Sequence, residues 1–179
     1  MKRLQRAALI TELADKMNEM GSWSGETHFQ KTVFFLEDGL EVPIGFQFVM
    51  YKYGPYSFDF HDDLTIMRGN GLIDLVPHGY GSSFSATESS RRLRAKFPKT
   101  LGRYQDQLDW SAEKISRRGV GDLERVSTAL FIMKRENLED SEAIARRLIQ
   151  IKPHVSEDSA LAAATEAIQL LVDAPVVTT

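Results

Sequence analysis

Residues 46–87 read FQFVMYKYGPYSFDFHDDLTIMRGNGLIDLVPHGYGSSFSAT, and this stretch decides the fold. Phe46 to Tyr51 is aromatic and β-branched, the composition of a short strand. Tyr53-Gly54-Pro55-Tyr56-Ser57 reads as a turn, because glycine next to proline interrupts helix and strand alike. Ser57 is placed to N-cap a helix over about 58–68. Within it Phe60, Leu64 and Met67, spaced four and three apart, face a core. Gly69-Asn70-Gly71 stops that helix. Leu72 to Val76 reads as a strand, Pro77 to Ser83 as a loop and Phe84 to Thr87 as the returning strand, which together make a β-hairpin.

Toward the N-terminus, Leu4, Ala8, Ile10, Leu13, Met17 and Met20 approximate a 3.6-residue period, so a helix is expected over 2–20, stopped at Gly21. Ser22 to Gly25 is a linker. A second helix is expected over 26–38, with Glu26 suited to its positive end and Phe29, Val33, Phe34 and Leu36 on its apolar face. Val42-Pro43-Ile44-Gly45 is a turn. The order is helix, helix, short strand, helix, hairpin. A winged helix has three helices with a hairpin after the third, and the pattern matches it; a generic α+β packing of the same elements is the alternative.

After residue 87 the signal is helical. A helix starts at Thr87-Glu88 and is interrupted near Pro98. A second runs over about 101–118, with Tyr104, Leu108 and Ile115 on one side, and Gly119-Val120-Gly121 breaks it. Leu123, Val126, Leu130 and Met133 are in register for a helix to about residue 136. Asp140-Ser141 caps another, over 142–151, and Ser156 to Ser159 opens the last, ending near Val172. Expected, then, is a mainly α protein with a small β-hairpin. A winged-helix-like module spans 1–87, a helical extension packed on it spans 88–173, and a flexible tail spans 174–179.

The chain has 179 residues, enough for one domain with a helical extension. Its hydrophobic fraction of 42% supports a core rather than global disorder. The formal charge of −3 argues against a dedicated nucleic-acid coat, which would be basic. With no cysteine, disulfides, thiolate chemistry and cysteine zinc sites are excluded. The basic start, Met1 to Arg6, precedes an apolar run too short for a signal-peptide core or a membrane span, so a cytoplasmic protein is expected.

Four short motifs fall in order: Gln30-Lys31; Tyr51-Lys52-Tyr53-Gly54-Pro55-Tyr56-Ser57; Asp63-Leu64; and Gly71-Leu72-Ile73-Asp74. With them the chain resembles the YwgA-type bacterial proteins over about 26–76 and, more distantly, the Panacea (SocA-like) domain of antitoxins. The stretch from Asp122 to Glu136 and the Lys152-Pro153-His154 junction resemble the later part of such proteins. The resemblance implies a regulatory, antitoxin-like or defence-associated binding protein whose partner is a toxin or defence component. It brings no catalytic residues, and Panacea-type domains often carry additional DNA-binding parts.

The residues themselves point the same way. His28, His61, His78 and His154 do not pair at metal-ligand spacing, and His61-Asp62-Asp63 reads as a solvated acidic helix turn rather than a metal site. No phosphate-binding glycine loop and no nucleophile elbow is present, so no enzyme activity, cofactor or metal is expected. In a DNA-reading winged helix the third helix meets phosphates. Here it carries Asp59, Asp62 and Asp63 against Arg68 alone, which suits a protein partner or a solvated face. Arg91, Arg92, Arg94, Lys96, Lys99 and Arg103 form the opposite feature, six bases in thirteen residues. That strip is read as a phosphate-backbone contact, as a dock for an acidic protein, or as ordinary solvation. Lys114, Arg117 and Arg118 follow it.

Tyr51, Tyr53 and Tyr56 are expected to pack around the Gly54-Pro55 turn, with a surface hot spot as the alternative, and Tyr53 and Tyr56 join the three aspartates as candidate partner contacts. Lys31 is expected to be partly buried and paired with a carboxylate such as Glu37. Trp23 and Trp110 are assigned to the core or to lids over it. A homodimer is also compatible with a winged helix.

Overall fold

The computed structural model describes residues 1–79 and 81–177, with the backbone but not the side chain of His78. In chain order the elements are α1 Arg3–Glu19, α2 Glu26–Phe34, β1 Val49–Tyr51, β2 Gly54–Tyr56, α3 Phe58–Gly69, β3 Ile73–His78 and β4 Gly81–Ala86. The helices α4 Glu88–Arg94, α5 Pro98–Arg103, α6 Gln105–Lys114, α7 Val120–Glu136, α8 Ser141–Ile151 and α9 Glu157–Val172 follow. The described chain is mainly α, and β1–β2 and β3–β4 are two separate antiparallel pairs. The first half has the winged-helix order, with a six-residue-deep hairpin after the third helix.

α2 is the most enclosed element: every residue from His28 to Phe34 is buried. Rings from four elements or loops close around it. Phe29 meets Phe60 of α3 edge-on at 5.4 Å and Phe84 of β4 at 5.6 Å, while Phe34 meets Phe48 at 5.2 Å and Phe131 of α7 at 6.2 Å. Such offset and edge contacts suit the ring quadrupoles and add to plain burial. The helical path continues past Phe34 as a π-helical turn, Phe35–Gly39. The Glu37 carboxylate then receives the Gly45 and Phe46 N–H groups, and so fixes the return of the chain toward β1.

One cluster of buried apolar side chains runs from Ala7 on α1 to Leu170 on α9, so the later helices share the core of the first half. α1 differs from its expected stripe. Ala7 to Ile10 are all buried because α4, α5, α6 and β4 enclose it on several sides, whereas Leu4 and Met20 at its ends stay exposed. Phe60, Leu64 and Met67 are buried as expected, and Ser57 caps α3 by accepting the Phe60 N–H. Thr87, Asp140 and Ser156 cap α4, α8 and α9.

Several boundaries differ from expectation for identifiable reasons. The strand expected over 46–51 shortens to Val49–Tyr51, and Gly54-Pro55-Tyr56, expected as a turn, pairs with it in the register Val49↔Tyr56, Met50↔Pro55 and Tyr51↔Gly54. A two-stranded ribbon accepts proline because one side of each strand needs no ladder donor. The reversal falls on Lys52-Tyr53 instead. The second hairpin extends to His78↔Gly81, so Pro77, Ser82 and Ser83 lie in strands rather than in a loop, and Tyr80 is outside the described residues. The helix expected over 101–118 is divided at Tyr104 into α5 and α6. Val120 and Gly121 open α7 instead of preceding it, with Gly119 as N-cap. Of the flexible tail expected over 174–179, Pro175 accepts a hydrogen bond from Gln107, Ala174 and Val177 pack on the core, Val176 is exposed, and residues 178 and 179 lie outside the described residues.

Gly54 is the tightest point of the β1–β2 pair. It holds φ +88, and a Cβ there would stand 3.2 Å from Thr128 Oγ1 and 3.3 Å from Ser127 Oγ on α7. A side chain is strained at this φ whatever the space, and here the space is closed as well. Gly54→Ala is therefore expected to lower stability by about 2 kcal/mol, read as a drop in the urea midpoint with an unchanged denaturant slope.

Candidate functional site

The candidate site is built on the β1–β2 hairpin and the first turn of α3, and it is held from beneath by polar side chains of α2. Gln30 uses both ends of its amide on one residue: Nε2 donates to the Ser57 carbonyl at 3.0 Å and Oε1 accepts the Ser57 N–H at 2.9 Å. Lys31, only 2% exposed, donates its ammonium to the Pro55 carbonyl at 2.9 Å. From the other side, the buried Lys152 at the end of α8 donates to the Lys52 carbonyl and to Glu124 of α7. Two lysines and a glutamine thus satisfy backbone groups of residues 52, 55 and 57, which the short ribbon leaves unpaired. The sequence motifs Gln30-Lys31 and Tyr53-Gly54-Pro55 meet here. Glu37, expected as a partner for Lys31, is committed to Gly45 and Phe46.

Burial drives the Lys31 ammonium down to about 8 against the pull of Glu124, which favours the charged form. Among the described residues Lys31 forms no ion pair at contact distance, and its ammonium hydrogen-bonds to a carbonyl.

Above this base sits an exposed ring cluster. Tyr51, Tyr56 and Phe58 form a triangle with centroids 5.6, 5.5 and 5.1 Å apart. Tyr51 is 55% exposed and Phe58 54%; Tyr53, also 55% exposed, lies at the reversal of the hairpin with the Lys52 ammonium 5.2 Å from its ring. Of the three tyrosines expected to pack around the Gly54-Pro55 turn, Tyr51 and Tyr56 pack on each other, but Tyr51 and Tyr53 stay exposed: the register Val49↔Tyr56 and Tyr51↔Gly54 puts Val49, Tyr51 and Tyr56 on one face of the ribbon, and Val49 and Tyr51 are open to solvent there. The Tyr56 hydroxyl donates to Glu26 Oε1 at 2.9 Å, and the same oxygen lies 2.7 Å from His61 Nδ1. Burial and the Glu26 carboxylate both push the Tyr56 hydroxyl pKa up. Asp59 and Asp62 are exposed at the edge of the rings. Asp63 is not part of this edge, because it forms an ion pair with Arg6 of α1 at 2.7 Å.

The structure brings Tyr56 together with Tyr51, Phe58 and Glu26, beside the exposed Asp59 and Asp62 of α3, and leaves Tyr53 exposed at the hairpin reversal. Phe58 had a signal in the sequence: it lies off the Phe60, Leu64, Met67 stripe and so faces outward. Glu26 had none beyond its place at a helix start.

The basic strip does not hold together as expected. Arg94 turns away from it into α1, where it is 8% exposed and pairs with Glu12 at 2.9 Å and with Asp15. Arg91 lies against Glu88 at 3.2 Å and Arg92 reaches Ser89. Lys96, Lys99 and Arg103 are exposed, with Arg103 over the Tyr104 ring. Farther on, Arg118 is tied to Asp122 and Glu166, and Lys114 to Glu113. Trp110 is partly buried on the core, while Trp23 is 39% exposed. Among the described residues, no helix is long and apolar enough to cross a membrane.

No protein-family model and no curated protein matches the chain.

In the unfolded chain Lys31 titrates near 10.5, and in the folded chain near 8. Between those values the unfolded chain binds more protons at this side chain, so stability rises with pH across the window. Against Lys31→Met, the wild-type protein is expected to gain up to about 1 kcal/mol per pH unit from about pH 8 to about pH 9.5, measured by urea unfolding at each pH. A flat difference between the two proteins would show that Lys31 titrates normally. Arg94→Ala leaves two acids facing a half-buried gap and is expected to cost about 3 kcal/mol. Arg91→Ala, by contrast, should shift stability by less than about 0.5 kcal/mol.

Proposed function

We propose that this is a non-enzymatic regulatory binding protein of the antitoxin-like or defence-associated kind, working in the cytoplasm, and that it engages a protein partner through the Tyr51–Tyr56–Phe58 surface. The observation that carries the reading is an exposed, mutually packed set of rings bordered by Asp59 and Asp62. Rings that are already ordered lose little freedom on binding, which is why aromatic side chains dominate interface hot spots. Ring faces and neighbouring carboxylates both favour cations, so the docking segment of the partner carries arginine or lysine. The absence of cysteine supports the cytoplasmic placement.

A nucleic-acid reading rests on the exposed Arg91, Arg92, Lys96, Lys99 and Arg103, and one set of variants separates the two. A partner captured by the wild-type protein is expected to be lost with Phe58→Ala and with Asp59→Lys/Asp62→Lys, and kept with Arg91→Glu/Arg92→Glu. The reverse pattern would transfer the function to DNA: a generic duplex bound with an affinity that falls by several log units per log unit of salt, and released by Arg91→Glu/Arg92→Glu.

A further inference from the structure

A cavity of about 270 Å³ lies between the first half of α7, the end of α8 and the start of α9. Its walls include Glu124, Arg125, Lys152, His154, Ser156 and Ser159. Glu124, the one carboxylate among the lining residues, is already taken by Lys152 at 2.8 Å. That pair cancels, and the Arg125 guanidinium is left as the one cation among the described lining residues without a close carboxylate. Its nearest carboxylate, Asp122, stands at 3.8 Å, beyond hydrogen-bond reach, and the guanidinium lies over Gly121, where a Cβ would be 3.5 Å from Nη1. Lys152 has three ammonium protons and spends two, on the Lys52 carbonyl and on Glu124. The Ser156 hydroxyl donates to Ser159 Oγ at 2.9 Å, which leaves the Ser159 proton to donate elsewhere.

We propose that this cavity binds a compact phosphate-bearing anion. Donors reach it from α7 through Arg125, from α8 through Lys152, and from the α8–α9 junction and the first turn of α9 through His154 and Ser159. Donors arriving from separate walls suit the four oxygens of a tetrahedral phosphate better than the two coplanar oxygens of a carboxylate, and the planar guanidinium fork matches two phosphate oxygens at once. The volume falls just under the roughly 300 Å³ at which pockets for drug-sized ligands begin, so the fitting ligand is inorganic phosphate or a small phosphomonoester. The cavity is separate from the ring surface but linked to it through Lys152, whose ammonium also holds the Lys52 carbonyl of the hairpin.

The test is an amide-shift NMR titration at constant ionic strength with inorganic phosphate and, separately, with glycerol phosphate. It is run on the wild-type protein, on Arg125→Gln and on Arg91→Gln/Arg92→Gln. The expected result is a saturable set of shifts at Gly121, Arg125 and Ser156 to Ser159, with at least a tenfold weaker Kd in Arg125→Gln and an unchanged one in Arg91→Gln/Arg92→Gln. Tighter binding of glycerol phosphate than of inorganic phosphate would identify an esterified ligand, and the converse would identify the free ion. Shifts that fail to saturate, that centre on residues 91–103, or that survive Arg125→Gln at equal affinity would overturn the proposal.

Discussion

A helix buried on all sides must dispose of every polar atom it carries, and α2 does so by holding another segment of backbone. His28 meets the Arg118 carbonyl, Thr32 turns back on the His28 carbonyl, and Gln30 and Lys31 reach across to Ser57 and Pro55. An unpaired buried group would cost about 1–3 kcal/mol, so these side chains dictate where residues 55–57 can lie. Ser57 is the N-cap of α3. The same hydrogen bonds that satisfy α2 therefore also set the start of the third helix, and with it Phe60 against Phe29.

The ring surface inherits its geometry from this arrangement. With the carbonyls of residues 52 and 55 each held by a buried ammonium, the ribbon has little freedom, and Tyr51, Tyr56 and Phe58 project from a fixed base. A lysine suits this task because its flexible stem delivers a point charge to a single acceptor. For Lys31 the cost of burial appears as a lowered pKa, whereas Lys152 has a carboxylate in direct contact, Glu124 at 2.8 Å.

Helix positions were largely legible from residue order, because apolar spacing reports which face is covered and Ser57, Thr87, Asp140 and Ser156 are strong caps. What residue order could not convey was how many neighbours a helix has. α1 and α2 are enclosed on several sides, so their burial does not follow a single stripe. Gly54-Pro55 was misleading for a related reason: its pairing depends on the partner strand and on α7, not on local preference. The basic strip shows the same limit. Arg91 and Arg94 are three apart and share a face in a helix considered alone, yet Glu12 and Asp15 on α1 draw Arg94 out of that face. The outward aromatics were half legible, since Tyr53 and Tyr56 stood out by composition whereas Phe58 emerges only once the core stripe of α3 is known.

The close seat of Gly54 on α7 also bears on how such a sequence can drift over time. Ser127 and Thr128 lie across the chain from the hairpin, yet their oxygens stand where a side chain at residue 54 would have to go. Larger residues at 127 or 128 would lift the ribbon off its two lysines, and any residue but glycine at 54 would press back on the helix. The constraint is one-sided: φ +88 holds residue 54 to glycine whatever stands opposite, and that glycine in turn limits how large residues 127 and 128 can become, although more than seventy residues separate them along the chain.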